Sequence, residues 1–542
     1  MSTDIIQTEL IPMPASTAVA VLTPLEYAGR TVLVVGLGES GSAMARWLSF
    51  KGASIRLADT RQVPPGLEQL KEKIAVLDVE LGHTTQLSVV LGAFNDTLLD
   101  GIDVVAWSPG LSIEIGESGD FYARILARGI TVIGELDLFA QAIADLGVAS
   151  GYYPKIIAVT GTNGKTTTVR LVNHLCEAAG KTVIAAGNIS PSLLDALFGA
   201  MQSNSLPKVW AIELSSFQLA LSKTFSPSVA TVLNFSQNHL DWHATEQSYD
   251  AAKRKVMGSD SAFNAGPLNL ANAPIATTRV INRGQPMQLH ETAPGIVLSF
   301  GTDQPSQVGE FGLVRDGGLM WLAQGLNEDG APLPVAPVRL GAKRPRKPAA
   351  PQEVVIKRLM PADALKIRGR HNQLNAMAAL ALCTAVGIPM AAMLHGLRSF
   401  EGEPHRCQLI RILNDIEYYN DSKATTIAAT VAALSGLDKP SLLIAGGKGK
   451  GQDFSALAQA VREHAKAVLL IGVDAPLLEG ALQGTGVELI RCSSLDDAVE
   501  KAYNKVRPGE VVLLSPACAS LDMFANYEAR GHAFVAAVEA LQ

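Results

Sequence analysis

The sequence predicts an α/β protein of three domains: a Rossmann-like domain, a central P-loop domain and a second Rossmann-like domain at the C-terminus. Three observations carry this. At roughly 150 residues per domain, a chain of 542 residues corresponds to about three or four units. Short apolar runs alternate with helical stretches along most of the chain, and the runs are continuous, as in strands buried on both faces of a parallel sheet. Glycine-rich turns stand directly after two of those runs.

The first domain is expected over residues 1–150, where TVLVVG, SIRLADT, VVAWSPG and TVIGE alternate with helices from Thr31 onward. The opening MSTDIIQTELIPMPAS has an early acid and no basic segment ahead of an apolar core, so it does not read as a signal peptide. AIADLGVASGYYP is expected to be a linker, because Gly147, Gly151 and Pro154 interrupt both periods. The central domain is expected over residues 151–400, with strands in KIIAVTGTNGKTTTVRLVNHLCEAAG, KTVIAAGN, VWAIELSSF and VATVLNF. Between about 258 and 360 the alternation dissolves into Gly, Pro and Asn around short β-like runs, GIVLSF and LMWLAQG, which reads as an insertion. Inside it KRPRKPAAP, residues 343–351, reads as an exposed loop. The third domain is expected over residues 401–542, carrying SLLIAGG, KAVLLIG, VELIRC and EVVLLSP. There Ser494-x-x-Asp497 looks like a capping-box helix start.

Composition narrows the function classes. The chain is 48% hydrophobic and 18% charged, with 45 basic against 51 acidic residues, a net charge of −6. That excludes broad disorder and gives nucleic acid no electrostatic footing. A mean hydropathy of +0.20 calls for a search for membrane segments. The longest low-polarity stretch, Ala376 to Leu394, is Ala-rich and broken at Gly387 and Pro389, so two packed helices explain it and no membrane insertion is expected. Cys176, Cys383, Cys407, Cys492 and Cys518 form no C-x-x-C pair and read as reduced thiols without zinc.

The strongest chemical signal is the strand IIAVT followed by Gly161-Thr162-Asn163-Gly164-Lys165-Thr166-Thr167 and a helical run. A turn of this kind sets backbone N–H groups and a helix dipole around a phosphate, with Lys165 reaching the outer phosphates and the Thr166 hydroxyl placed for Mg²⁺. Val159 stands where the common phosphate-loop pattern has its first glycine, so the loop is a variant. Glu213 ends the run VWAIE, and His239 and Asp241 follow VATVLNF; both groups fall at strand ends, where sites collect in parallel sheets. Read alone, His239 is equally a surface histidine. The other glycine motif, Gly36-Leu-Gly38-Glu-Ser-Gly41, followed by Asp59-Thr60-Arg61, fits a diphosphate-binding turn that serves NAD, FAD or UDP alike.

The ordered series GTNGKT, ELSSFQL, NHLD, AAK, GRHNQLN, PHR, NDSKAT and GGKGK resembles the Mur ligase family of ATP-dependent amide-bond ligases. The resemblance runs from about Thr31 to the C-terminus. The GLGESG and DTR motifs and the terminal LSPACASLDMFANYEARG point to the branch adding D-glutamate to UDP-N-acetylmuramoyl-L-alanine in peptidoglycan precursor synthesis. It implies a bacterial cytosolic ligase, acting as a monomer through an acyl phosphate, with UDP-N-acetylmuramoyl-L-alanine, D-glutamate and ATP as partners. Glu39, Ser40, Asp59, Thr60 and Arg61 would contact UDP, and Asn188 and His239 the muramoyl-alanine end. Asn375, Arg406 and Asp421 would join the phosphate loop around ATP. Lys423, Thr425, Lys450, Ser520, Leu521 and Tyr527 would meet D-glutamate. Lys165, Asn188, His239 and Lys253 would be catalytic. Two Mg²⁺ ions would lie on Thr166, Glu213, His239 and Lys253, the last carbamylated by CO₂. On the residues alone Lys253, beside Arg254 and Lys255, reads as a solvated surface lysine. Another Mur-type or folylpolyglutamate-type ligase, and a dinucleotide-binding oxidoreductase or sensor, are the alternatives.

Overall fold

A computed structural model of the chain describes residues 27–82, 84–236, 239–257, 277–285, 297–328, 353–437, 439–449 and 451–542. The N-terminal extension, most of the expected insertion including residues 343–351, and Lys450 lie outside the described residues.

Three sheets organise these residues. The first has strands β1 (Thr31–Val35), β2 (Ser54–Asp59), β3 (Leu87–Leu91), β4 (Val104–Trp107) and β5 (Thr131–Ile133), ordered β3-β2-β1-β4-β5 and parallel throughout. Its centre is buried on both faces, which is why TVLVV and VVAW are continuous apolar runs.

The central sheet holds β6 (Lys155–Thr160), β7 (Val183–Gly187), β8 (Val209–Glu213), β9 (Val229–Val232), β10 (Thr278–Asn282), β11 (Val297–Phe300), β12 (Glu310–Asp316), β13 (Leu319–Leu326) and β14 (Val355–Pro361). Their order is β14-β13-β12-β11-β10-β9-β6-β8-β7. The stretch expected as an insertion therefore contributes β10 to β14 to this sheet. β12, β13 and β14 run antiparallel, so the sheet is mixed where an all-parallel one was expected.

The third sheet comprises β15 (Gln408–Leu413), β16 (Ile416–Asn420), β17 (Ser441–Gly446), β18 (Ala465–Ile471), β19 (Glu488–Arg491) and β20 (Val511–Leu514), ordered β15-β16-β20-β17-β18-β19. Only its β15–β16 edge is antiparallel.

The expected linker is shorter than its sequence suggests. The helix Glu135–Ser150 runs through Gly147 and ends at Gly151 in the left-handed conformation. Gly147 is small because the Tyr153 ring folds back on it: a Cβ there would lie 2.6 Å from the ring. The apolar stretch near residue 380 is two helices, Arg370–Ala385 and Met390–Ser399, and no helix among the described residues is long and apolar enough to cross a membrane. At Ser494 the hydroxyl caps the Asp497 N–H, while the Asp497 carboxylate accepts from Ser493 and not from Ser494, so the box is half formed.

One apolar core spans the first and central sheets. Phe198 packs edge-on against Trp47 and Phe50, with centroids 6.5 and 5.4 Å apart, and Phe139 meets Trp210 at 5.1 Å. Aromatic contacts of this size make the two domains one packed body. The third sheet has cores of its own.

Candidate active site

The phosphate loop leaves β6 at Thr160 and enters the helix Lys165–Ala178. Gly164 caps that helix at φ +82° without a side-chain cap, so the first N–H groups face the loop's cavity, as an anion site requires. A Cβ at Gly164 would also sit 2.5 Å from the Asn375 Oδ1, and this close approach brings the helix Arg370–Ala385 to the loop. Asn375 is held by donating to Asn372 Oδ1 at 3.1 Å. Asn234 braces the far side: its Oδ1 accepts from Asn163 N at 2.8 Å and its Nδ2 donates to Asn163 O at 3.0 Å. Thr162 and Thr167 are partly exposed on the same loop and helix start.

Lys165 folds back and donates to the Gly161 and Thr162 carbonyls, both at 2.9 Å. Burial lowers its pKa, Glu213 opposes that, and Arg406 adds to it. Arg406 reaches across from the third domain and donates to Thr166 Oγ1 at 3.2 Å. Its Nε is buried without a partner among the described residues.

Glu213 ends β8 and is 2% exposed. Its Oε1 accepts from Asn188 Nδ2 at 2.8 Å, while Oε2 is buried with no partner among the described residues. The Asn188 turn presses on it because Gly187, at φ +116°, has no Cβ; one would lie 2.3 Å from the Glu213 carbonyl oxygen.

Lys253 is likewise 2% exposed, against the solvated position its neighbours suggest. Its Nζ donates to Gly161 O at 3.0 Å and Thr160 Oγ1 at 3.4 Å, and lies 4.7 Å from the centre of the Tyr249 ring. Burial first, then the Lys165 charge, push its pKa down to about 7, with Glu213 opposing.

His239 sits at φ +58° in a tight turn, its ring 4.8 Å from Phe217 and 6.1 Å from Tyr249. Burial lowers its pKa, with Asp241 opposing. Phe217, His239, Asp241 and Trp242 form one wall of a cavity of about 540 Å³, and residues Gly110 to Ser118 form the other.

In the first domain the glycines do what the motif requires: a Cβ on Gly41 would lie 1.8 Å from the Gly36 oxygen. Asp59 is already committed, accepting from Leu37 N at 2.7 Å, Arg61 N and Nε at 2.8 Å and Arg61 Nη2 at 2.7 Å. Burial acts to raise its pKa, but these donors hold it below the usual carboxylate value. Glu39 Oε2 accepts from Ser190 at 2.9 Å, bridging to the central domain. A cleft of about 360 Å³ beside this turn is lined by Gly38, Glu39, Ser42, Arg46, Lys73 and Asp195 among others. Ser40, Asp59, Thr60 and Arg61 are not among its lining residues.

In the third domain Asp421 accepts from Cys407 N at 3.0 Å and Ser515 Oγ at 2.8 Å, and burial raises its pKa to about 7. Lys423 Nζ lies 5.2 Å from the centre of the Tyr527 ring, and Thr425 N donates to the Lys423 carbonyl. Ser520 is buried in a turn that caps Met523 and Phe524, and Leu521 is 64% exposed.

The structure thus gathers Lys165, Thr166, Asn188, Glu213, Lys253, Asn375 and Arg406 around one loop. Sequence reading gave no role to Asn234 or Asn372, although both stand in motifs it marked, and missed Tyr249. Tyr249 was findable, since it lies four residues before Lys253 and so on the same face of the helix Glu246–Arg254, and its hydroxyl lies 3.1 Å from Thr162 Oγ1.

Comparison with known proteins agrees with this layout. Residues 30–134 match the model of the Mur ligase MurD-like N-terminal domain, 159–305 the Mur ligase middle domain and 405–518 the Mur ligase glutamate ligase domain. The chain is 49% identical over 511 residues to a UDP-N-acetylmuramoylalanine–D-glutamate ligase of Cupriavidus pinatubonensis, covering 94% of this chain and 97% of that one. It is 48% identical over 515 residues to the enzyme of the same name from Burkholderia mallei, covering 94% and 96%. A solved UDP-N-acetylmuramoyl-L-alanyl-D-glutamate–2,6-diaminopimelate ligase shares the fold at a TM-score of 0.50, with 16% identity over 95% of this chain and 93% of that one. On the near full-length identity and the three matched domains, the chain belongs to the Mur ligase family.

Proposed function

We propose that the protein joins D-glutamate to UDP-N-acetylmuramoyl-L-alanine at the expense of ATP, as a monomer in the bacterial cytosol, with domains near 1–150, 151–400 and 401–542. The observation that carries this is the near full-length identity to ligases of that name. The charge such a reaction must offset is met by Lys165 with the buried Glu213 and Lys253 gathered at the phosphate loop.

A carboxylate is a poor acyl donor, so the terminal L-alanine carboxylate attacks the γ-phosphorus of ATP, giving an acyl phosphate and ADP. The amine of D-glutamate attacks that carbonyl carbon and loses a proton, and inorganic phosphate leaves. Two anions must meet before the first bond forms, so offsetting charge is the main demand on the site. Lys165 turns from its own loop carbonyls to the outer phosphates, and Arg406 adds a second cation from the third domain. Asn375 sits against the loop near the nucleotide, with Asp421 fixing the turn behind Arg406. Lys423, Thr425, Lys450, Ser520, Leu521 and Tyr527 receive D-glutamate.

Mg²⁺ would be held by Thr166, Glu213, His239 and Lys253 carrying a carbamate. The residues fit: Glu213 Oε2 is buried with no partner among the described residues, and burial lowers the pKa of the Lys253 amine toward its uncharged form, the form that adds CO₂. Bound there, Mg²⁺ supplies positive charge to the phosphate oxygens.

The UDP group is assigned to the cleft beside Gly38 and Glu39, with Ser40, Asp59, Thr60 and Arg61 shaping the turn. Asp59 has both oxygens taken by Leu37 and Arg61, which counts against a ribose-binding role in an NAD enzyme. Asn188 and His239 face the muramoyl-alanine end.

The test is the amino-acid dependence of phosphate release from ATP with UDP-N-acetylmuramoyl-L-alanine present. Turnover with D-glutamate alone among the amino acids supports the assignment, and turnover only with another amino acid overturns it.

A further inference from the structure

The loop that carries His239 is fastened to the first domain by bonds that neither the glycine motifs nor the phosphate loop account for. Residues 239–243 make one tight turn, in which the N–H groups of Trp242 and His243 both donate to the His239 carbonyl, at 3.1 and 2.9 Å. Four hydrogen bonds then tie this turn to residues 109–114. Trp242 Nε1 donates to Pro109 O at 3.0 Å, Ser112 Oγ donates to Trp242 O at 2.6 Å, Ala244 N donates to Glu114 Oε2 at 2.9 Å, and His243 Nδ1 lies 3.2 Å from Glu114 Oε1.

The His243 side chain is fully buried. Its ring packs 4.5 Å from Trp242, 5.4 Å from Tyr249 and 5.8 Å from Phe217. With Nδ1 on Glu114, Nε2 is left buried with no partner among the described residues. A buried imidazole with one unmet nitrogen is a poor choice for stability alone, since an apolar side chain of the same size would fill this aromatic box without that cost. Its use lies in what it connects. On one side is a carboxylate of the first domain. On the other is Tyr249, whose ring faces the Lys253 amine at 4.7 Å and whose hydroxyl meets Thr162 of the phosphate loop.

We infer that Glu114 and His243 form a positioning pair, which sets the His239 turn and the Tyr249–Lys253 face in register with the first domain so that the metal site is assembled before substrate arrives. The inference rests on the assignment of His239 and Lys253 to metal binding made above. Neither Glu114 nor His243 touches a reacting atom in this scheme; both act through the residues they hold. The pair also ties the residue 110–118 side of the cavity to the side formed by Phe217, His239, Asp241 and Trp242.

Full-length protein carries the test, by Mn²⁺ titration in the presence of a non-hydrolysable ATP analogue, alongside kcat and KM. Supports around metal ligands are typically worth about 10–100-fold in affinity or activity. Glu114→Ala is therefore expected to weaken Mn²⁺ binding and lower kcat by about tenfold each, with analogue binding in metal-free buffer changed by less than about twofold. His243→Leu should match it, and the double variant should be no worse than either single, because both break one connection. His243→Asn, which keeps a donor for Glu114, should retain at least about half of wild-type Mn²⁺ affinity. Glu114→Gln, of the same size, replaces the alanine variant if that one does not fold. Wild-type Mn²⁺ affinity and kcat in Glu114→Ala or His243→Leu overturn the inference. So do additive losses, or an asparagine variant as impaired as the leucine one. Wild-type protein that binds Mn²⁺ but never turns over with D-glutamate would overturn the proposed reaction and leave the positioning pair standing.

Discussion

A lysine ammonium at the Lys253 position is costly, and the cost sets a measurable slope of stability against pH. An unfolded lysine titrates near 10.5, and burial moves Lys253 to about 7, a difference of 10.5 − 7 = 3.5. At about 1.4 kcal/mol per unit, the native state is penalised by up to about 5 kcal/mol well below pH 7, about 3 kcal/mol near pH 8, and nothing above the unfolded value. The sign follows from proton counting: between about pH 7 and 10.5 the unfolded chain binds more protons than the native one, so stability rises with pH there. Lys253→Met keeps the length and apolar stem and removes the charge. Urea unfolding in CO₂-free buffer from pH 7 to 10 should show the wild type gaining several kcal/mol relative to the variant's own trend. The variant should be the more stable protein at pH 7 and inactive. Bicarbonate should then stabilise the wild type only, with one added CO₂ per chain seen by native mass measurement, because a carbamate there faces the Lys165 charge. Parallel pH trends in the two proteins, or a wild type indifferent to bicarbonate and carrying no added mass, would refute both the buried amine and the carbamate.

Other perturbations test separate parts of the site. Gly41→Ala drives a Cβ to 1.8 Å from the Gly36 oxygen, so the turn must open. The expected cost is about 2–4 kcal/mol of stability, with loss of UDP binding by calorimetry and ATP-analogue binding retained. Arg406→Ala removes a charged donor to Thr166 that spans two domains. At about 1.5–3 kcal/mol for such a bond, KM for ATP should rise about 10–100-fold with the unfolding midpoint little changed. Asp421, raised from 3.8 to about 7 by burial, binds its proton more tightly when folded, so its contribution is full below pH 3.8 and lost as pH rises through 7. Asp421→Asn should remove that fall, measured as a flatter stability profile between pH 4 and 7.

What was legible in the sequence was whatever a short window contains. Strands buried on both faces are written as uninterrupted apolar runs, so TVLVV, IIAVT, VWAIE and SLLIAG declared themselves, and the phosphate loop did so because its glycines, lysine and threonine are contiguous. β12 to β14 did not. They lie at the antiparallel edge of the central sheet, where β14 exposes Val355 and keeps Met360 buried, and such mixed patterns beside Gly- and Pro-rich sequence resemble loop. Gly147 was read as a break because the sequence cannot show the Tyr153 ring that requires it.

The site itself divides the same way. Lys165, Thr166 and Glu213 are named by local pattern, but the burial of Lys253 is not, because Asp250, Arg254 and Lys255 surround it in sequence and give the helix Glu246–Arg254 a polar look. Only one turn of that helix, Tyr249 with Ala252 and Lys253, faces inward, and the chemistry depends on that face. Glu114 and His243 are 129 residues apart and belong to different domains, so no window contains both. The two domains that carry them share one apolar core, in which Phe198 packs against Trp47 and Phe50. Residues that perform the chemistry are thus written in short motifs, whereas residues that hold those motifs at working distance are written only in the packing. The consequence for this fold is that a substitution at the Phe198 contact, remote from every motif, should loosen the Glu114–His243 bond and so change metal affinity before it changes nucleotide affinity.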